Sequence, residues 1–444
     1  MNESQSFIMR RLRSEDANKL GDFFTRNNRP EITNNFSPFP LIYQTACDLL
    51  KPERNDLFFI AEENDEFLAF SMLRGKDEGY VIPSFGIFVD WARQNSGYGN
   101  RLSEWTFRWA DRMGVQKIRL SVYEDNYKAL SLYKKYGFTE SERRNDKSGR
   151  VSLILHRTQP IEKTKIFAST QALPTCESLS QRLNKWFDAG IHRIELSNFP
   201  IAGDDDFINM AKSYPGELLI HHFFPDEGSD VILNLASADP TTRQNTHRFF
   251  QRSIEWSAKI GAPFFSFHAG YITDPVGRDS NGFVLAEPAR DEYDRAWDRF
   301  TKEVRVLAKY AANCGIKLLI ENNVVIKANK DKLLLSRPEE FVNFLKQFSK
   351  TDNIGVLFDW GHWYVTAGTY DLDIASFLLI ADNIVGLHLH TNNGVSDEHL
   401  PIPSNASQIS SLINIHPDYV TLEGHFLNLS ILQQNILQME KVFQ

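Results

Sequence analysis

From about residue 164 onward, short apolar runs alternate with amphipathic stretches of helix length. Eight such runs, at 165–169, 192–196, 217–221, 264–268, 317–321, 354–359, 384–388 and 419–423, have the length and β-branched or aromatic content of buried strands. Longer stretches between them, for example 242–260 and 293–314, carry helical periodicity. Eight β/α units in this length predict a (β/α)8 barrel, with a doubly wound open sheet as the alternative topology. The first 158 residues follow another pattern. A strand from Phe7 precedes a capped helix start at Ser14, and runs at 57–62 and 66–73 read as a hairpin. Further strands are expected at 85–89 and 117–122. The breaker-rich loop 29–40 reads as a connector or a substrate-side loop.

The barrel strands end in polar residues. Val356-Leu357-Phe358 runs into Asp359, and His362 is placed in the loop beyond. The same grammar gives Glu195, His221 with His222, His268, Glu321, His388 with His390, and Glu423 at other strand ends. C-terminal strand ends of such a barrel converge on one mouth, and charged groups gathered there need partners. Glu321, Asp359, His388 and Glu423 therefore read as ligands of a shared metal ion, and oxygen and imidazole donors without thiolate suit Zn, Mn, Co or Fe. His268 and His362 read as substrate contacts or second-metal ligands. Pleat alternation should let only one of His221 and His222 face the mouth. Asp397-Glu-His399 is either a further ligand pair or a solvated loop, and Glu195 either faces the mouth or is structural. His192, His247 and His416 read as structural or surface residues.

Composition sharpens the division. Of 12 histidines, only His156 precedes residue 190, so the two halves should carry different chemistry. A chain of 444 residues with 42% hydrophobic and 24% charged residues is long enough for two domains, expected at 1–158 and 164–444 with a polar linker between. The net charge of −8 disfavours a nucleic-acid partner. Cys47, Cys176 and Cys314 form no metal or disulfide pattern and suit a reducing cytosol, so a cytoplasmic location is expected. No apolar run reaches transmembrane length.

In the first segment, Gln94-Asn-Ser-Gly97-Tyr98-Gly99 follows a strand and opens a helix, where backbone N–H groups can close around an anion. A second strand is followed by Asn126 and a helix carrying Tyr133 and ending Tyr136-Gly137-Phe138. With these paired motifs, residues 5–155 resemble the GNAT acetyltransferases. The resemblance implies an α+β domain using acetyl-CoA and an amine acceptor. Gln94, Gly97, Tyr98 and Gly99 would hold the cofactor pyrophosphate, Asn126 would contact the cofactor, and Tyr133 would protonate the leaving thiolate; otherwise Tyr133 is a packed aromatic. No general base is legible, and Glu104 and Glu124 stand equal to other acids.

The second segment, through His221-His-Phe-Phe, Asn234-Leu-Ala-Ser, His268-Ala-Gly, Glu321-Asn-Asn, Asp359-Trp-Gly-His362, His388-Leu-His390-Thr-Asn-Asn-Gly and Leu422-Glu423-Gly, resembles the xylose-isomerase-like TIM barrels. That superfamily contains sugar isomerases and epimerases and the endonuclease-IV type of apurinic endonuclease. In the epimerase branch the matching Glu321, Asp359, His388 and Glu423 hold one divalent ion, often Mn²⁺. The endonuclease branch adds the other histidines and an Asp-x-His pair and binds three zinc ions. Asp397-Glu-His399 stands where endonucleases have Asp-Arg-His, which disfavours a DNA phosphate. By the epimerase resemblance, Glu321 and Glu423, on opposite sides of the mouth, exchange a substrate proton through an enediolate while His362 positions an oxygen.

Three functions stay open: an acetyltransferase fused to a divalent-metal (Mn, Zn or Co) sugar or sugar phosphate isomerase/epimerase, a zinc phosphodiesterase, and a barrel that serves as a sensor module. The first is the expectation, with small-molecule substrates, no membrane, and a homo-oligomer compatible with it.

Overall fold

The computed structural model of the chain describes residues 7–112, 115, 117–145, 149–158, 164–174, 177–228, 231–279, 282–290, 292–348, 353–403, 409, 412, 415 and 417–443. Linker positions 159–163, Cys176 and His416 lie outside the described residues. The chain divides into two compact units, one of 1–161 with 185–192 and the other of 162–184 with 193–444.

The first unit is built on a seven-stranded sheet. Its strands are β1 (Phe7–Arg11), β2 (Leu57–Glu63), β3 (Glu66–Arg74), β4 (Ser84–Val89), β5 (Lys117–Tyr123), β6 (Thr139–Asn145) and β7 (Val151–Thr158), in the order β1-β2-β3-β4-β5-β7-β6. Helix Ala17–Asn27 buries Leu20, Phe23 and Phe24 in a cluster with Phe58, Phe70 and Phe88 from the sheet. The 57–74 hairpin closes on Asn64 and Asp65 at positive φ, the backbone a tight turn requires. Parallel β4 and β5 pair only at Ser84 and Arg119, so their C-terminal halves diverge. The divergent ends lead into the 94–99 loop and Asn126. The 29–40 loop contains one short helix, Pro30–Thr33.

The second unit is a closed parallel barrel of β8 (Lys165–Ser169), β9 (Arg193–Leu196), β10 (Glu217–His221), β11 (Phe264–His268), β14 (Lys317–Glu321), β15 (Ile354–Asp359), β16 (Ile384–Leu389) and β17 (Tyr419–Leu422). Phe167, Leu219, Phe264, Leu319 and Leu357, from five strands, pack into one buried cluster. That is how inward side chains fill a barrel of this size. Register aligns the tips: His268 faces Glu321 across β11–β14, and Asp359 faces His388 across β15–β16.

Three local expectations change. The connection after β11 carries a hairpin, β12 (Pro275–Asp279) with β13 (Gly282–Leu285), that the pattern of the sequence did not reveal. Glu423 lies one residue past β17 rather than within it. His362 is not in a loop: it sits in the first turn of helix Trp360–Tyr370, because Asp359 caps that helix at once.

Candidate functional site

The barrel mouth gathers acids and imidazoles onto one another. One ligand atom each from Glu321, Asp359, His388 and Glu423 lies within 4.8 Å of all the others. Nδ1 of His388 is the hub, 3.2 Å from Glu423 Oε2, 3.3 Å from Glu321 Oε1 and 3.9 Å from Asp359 Oδ2. Around the barrel, β14 and β17 are three strand positions apart, yet the carboxylates of Glu321 and Glu423 converge on that one nitrogen. Both Glu321 oxygens, Asp359 Oδ2 and His388 Nδ1 are buried and make no hydrogen bond. Orphaned buried acceptors are costly, and a divalent cation among them removes that cost. The residues present fit such an ion.

The supporting contacts are specific. Nε2 of His388 lies 2.8 Å from Oε1 of Glu195, whose other oxygen accepts from the Thr421 hydroxyl at 3.1 Å. Glu195 is fully buried behind the imidazole, which fixes its orientation as a carboxylate behind a ligating histidine does. Asn322 locks β14 to β15: its side-chain amide donates to the Asp359 carbonyl at 3.0 Å and its Oδ1 accepts the Asp359 N–H at 2.8 Å. Its own carbonyl accepts from Nδ1 of His362 at 3.0 Å.

Besides Glu195 with His221 and His388, two further groupings adjoin the first. His221 Nε2 and His268 Nε2 lie 3.2 and 3.6 Å from Oε2 of Glu321, the oxygen turned away from His388. Nδ1 of His221 is 2.9 Å from the Ser266 hydroxyl. His362, His390, Asp397 and His399 form the other grouping. Asp397 Oδ2 is 3.3 Å from His362 Nε2 and 3.2 Å from His399 Nε2, and Asp397 Oδ1 is 3.7 Å from His390 Nε2. Asp359 Oδ1 reaches His390 Nε2 at 3.2 Å, so Asp359 borders both groupings.

Protonation follows from this crowding. Burial alone would lower His388 and His362, but Glu195, Glu423 and Glu321 around the first, and Asp359, Asp397 and Glu321 around the second, hold both well above the ordinary imidazole value. Burial pushes Glu321 up, against the opposing pull of His388. His221 and His268 are pushed well down, by burial first and then by neighbouring imidazoles, which leaves neutral rings with a free lone pair. Protons and a divalent ion compete for such a donor set.

The barrel residues read from the sequence as ligands, substrate contacts or mouth-facing groups (Glu195, His221, His222, His268, Glu321, Asp359, His362, His388, Asp397, His399 and Glu423) lie in or beside this mouth. Both His221 and His222 line its cavity of about 580 Å³, with His268, His362, Asp397, His399 and Glu423. Pleat alternation does not choose between the pair because β10 ends at His221 and Phe223 turns the chain at φ +67°. In the Asp397-Glu-His399 loop the half-buried Asp397 and His399 side chains turn inward, while Glu398 between them is exposed. His390 and Asn322 acquire roles here that sequence reasoning did not give them. For His390 the signal was there: positions i and i+2 share a strand face, so it follows His388. His247 pairs with Glu303 at 2.7 Å, a structural role.

In the first unit, Gly97 at φ +83° immediately precedes helix Tyr98–Arg112. A Cβ on Gly99 would sit 3.2 Å from Val89 Cγ2. That close approach leaves the helix N-terminus beside the divergent end of β4, with amide donors available for a pyrophosphate. Gln94 is exposed on the same loop. Asn126 caps the next helix, its Oδ1 accepting from Ala129 N at 3.3 Å. Tyr133 is buried with its ring edge-on to Phe85, and burial pushes its hydroxyl well above the ordinary value. Glu124 is paired with Arg143 at 2.5 Å, while Tyr136 donates to Asn100 Oδ1 at 3.0 Å and to Glu104 at 3.4 Å.

These two sites sit on recognisable folds. The chain belongs to the xylose isomerase-like TIM barrel family, whose model matches residues 183–415. Residues 23–138 match the acetyltransferase (GNAT) family. The protein thus joins a GNAT acetyltransferase domain, a fold that implies acetyl-CoA use, to a barrel of the sugar isomerase/epimerase type. An uncharacterized protein of Methanocaldococcus jannaschii is 25% identical over 236 residues, covering 52% of this chain and 78% of that one. D-psicose 3-epimerase of Ruminiclostridium cellulolyticum is 24% identical over 169 residues, covering 37% of this chain and 49% of the enzyme. The crystal structure of a D-tagatose 3-epimerase-like protein, 21% identical, covers 63% of this chain and 97% of its own with a TM-score of 0.49. No helix among the described residues is long and apolar enough to cross a membrane.

Proposed function

We propose that the chain is a bifunctional enzyme, an acetyl-CoA-dependent N-acetyltransferase joined to a divalent-metal-dependent isomerase or epimerase of keto sugars. The observation that carries the barrel reading is the convergence of Glu321, Asp359, His388 and Glu423 within 4.8 Å, with orphaned buried oxygens at its centre. These four would hold the ion. When bound, it supplies a positive charge beside the substrate carbonyl and neighbouring hydroxyl.

The chain's own groups do the proton chemistry. One of the Glu321 and Glu423 carboxylates takes the proton from the carbon next to the carbonyl, and the other returns it. Glu195 keeps His388 turned toward the cluster, and Asn322 keeps Asp359 and His362 in register. His362 positions a substrate oxygen from within the second grouping. In the acetyltransferase domain, the 94–99 loop receives the pyrophosphate, Asn126 borders the cofactor, and Tyr133 donates the proton that the departing thiolate takes. The test is metal analysis of the purified chain followed by a screen of keto sugars for C–H exchange with solvent deuterium. A metal-loaded chain that exchanges no keto sugar rejects the barrel assignment.

The second grouping, His362, His390, Asp397 and His399, supports one other reading, a multi-ion zinc phosphodiesterase. Three ions per chain together with cleavage of abasic DNA would establish it in place of the first.

A further inference from the structure

The cavity that opens from the acid and imidazole cluster has a mixed lining, with one fastened wall that is largely apolar. Gln171, Ser197 and Asn198 line a polar flank, whereas Tyr271, Phe283, Leu285, Val324 and Leu333 present aromatic and aliphatic surface. Three separate segments make that wall, and each is fastened to the next. Tyr271 and Leu333 form an antiparallel bridge, with Ile272 N donating to Lys332 O at 3.0 Å. Lys332 Nζ reaches the Leu285 carbonyl at 3.2 Å, tying in the β12–β13 hairpin. The Tyr271 and Phe283 rings meet edge to face at 5.5 Å, and Leu285 and Leu333 pack with Val325 behind them.

Asn234 fixes the wall from the other side. Its amide donates to Tyr271 O at 3.1 Å and to Asp274 Oδ1 at 2.8 Å, and its Oδ1 accepts from Tyr271 N at 3.2 Å. Gly270, at φ +92°, leaves room for that oxygen: a Cβ there would lie 2.6 Å from it. The apolar surface is therefore held in place before any ligand arrives, the preorganisation that lowers the cost of binding.

Size points the same way. Allowing about twelve heavy atoms the roughly 30 Å³ that a water takes in the liquid, a hexose fills roughly 360 Å³ at most. The cavity holds about 580 Å³. Part of the surplus is bounded by Phe283, Leu285, Val324 and Leu333, whose side chains offer no hydrogen bond to further hydroxyls, although Asp226, Glu227 and Asn329 also line the cavity.

We propose that the substrate is a keto sugar bearing an apolar substituent, its polyol part at the ligand cluster and the substituent against the Tyr271–Phe283–Leu333 wall. The inference rests on the keto-sugar reading of the barrel. It names Phe283 and Leu333 as residues that set specificity.

Calorimetric binding to the full-length, Mn²⁺-loaded chain tests it, using a ketohexose and the phenyl ether of the same ketohexose. The ether should bind at least about ten-fold tighter, the discrimination an apolar pocket gives for added apolar surface. In Phe283→Ser and in Leu333→Asn the ratio should fall to within about two-fold while affinity for the parent ketohexose stays within about two-fold. Phe283 lies on the partly exposed hairpin, so Phe283→Ser carries the test if Leu333→Asn fails to fold. Equal affinities in the native chain, or an unchanged ratio in folded Phe283→Ser, overturns the proposal and leaves the keto-sugar reading standing. If neither compound binds and no keto sugar exchanges its C–H proton, that reading fails and the substituent proposal falls with it.

Discussion

The backbone N–H of His362 donates to Oδ1 of Asp359 at 2.6 Å, while Oδ2 of the same carboxylate is buried, makes no hydrogen bond and faces His388. One side chain thus ends β15, starts helix Trp360–Tyr370 and turns an unpaired oxygen into the ligand cluster. The helix puts His362 back over the mouth one turn later, which a loop at that point would not do.

Cap and ligand can be separated by substitution. Asn is as good an N-cap as Asp but carries no charge. Asp359→Asn should fold with native circular dichroism and lose at least about ten-fold in metal affinity, a minimum set by what even supporting residues contribute at such sites. Asp359→Ala should be about 1 kcal/mol less stable than Asp359→Asn, the usual worth of a cap. Metal titration and chemical denaturation measure the two effects. Equal stability of the two variants would deny the cap its role.

Glu321 and Glu423 carry the proton chemistry in the proposed reaction. Each of Glu321→Gln and Glu423→Gln should lower exchange of the substrate C–H proton with solvent by at least about 10²-fold, the lower end for a lost general acid or base. Acetyl transfer by the same preparations should be unchanged. Native-like exchange in both variants would remove the assignment.

Gly361 tests how tightly the second grouping is packed. A Cβ there would meet His390 Cε1 at 2.0 Å and both ring nitrogens at 2.4 Å. Its φ is not in the left-handed region, so space alone is at stake. Gly361→Ala should cost about 1–3 kcal/mol, as overpacking does. At roughly 2–4 °C per kcal/mol, the loss is visible in a thermal melt of chelator-treated protein. An unchanged melt would mean that His390 moves freely.

The barrel was legible because strands such as β10, β14 and β15 read as apolar runs that end on one polar tip. Glu321, Asp359 and His388 therefore announced both their strands and their shared mouth. Glu195 looked the same but stands behind His388, since a strand-end acid can face the ligand or support it and only distance decides. Asn322 could not be read: its bonds go to backbone 37 residues away. Nor could the β12–β13 hairpin, whose short alternation is buried in a long connection and whose partners, Val325 and Leu333, follow a strand later. In the first unit the glycines marked the loop, but whether Tyr133 is core or acid depends on burial and chemistry together.

Tyr133 is the last point at which a packed aromatic and a catalytic acid diverge. Burial raises its hydroxyl, so the protonated form persists as pH climbs through the range where an exposed tyrosine would ionise. Loss of this acid by titration should therefore not appear below pH ~10 in the acetyl-transfer rate. Tyr133→Phe keeps the ring that packs on Phe85 and removes only the proton. It should lower kcat by roughly 10²-fold while the KM for acetyl-CoA stays within about two-fold, the split expected when an acid rather than a binding contact is lost. Tyr136→Phe, which breaks the contact to Asn100, serves as the control and should leave kcat nearly native. A native kcat in Tyr133→Phe would make Tyr133 a core residue and turn the search for the acid to Tyr136 and its neighbour Glu104.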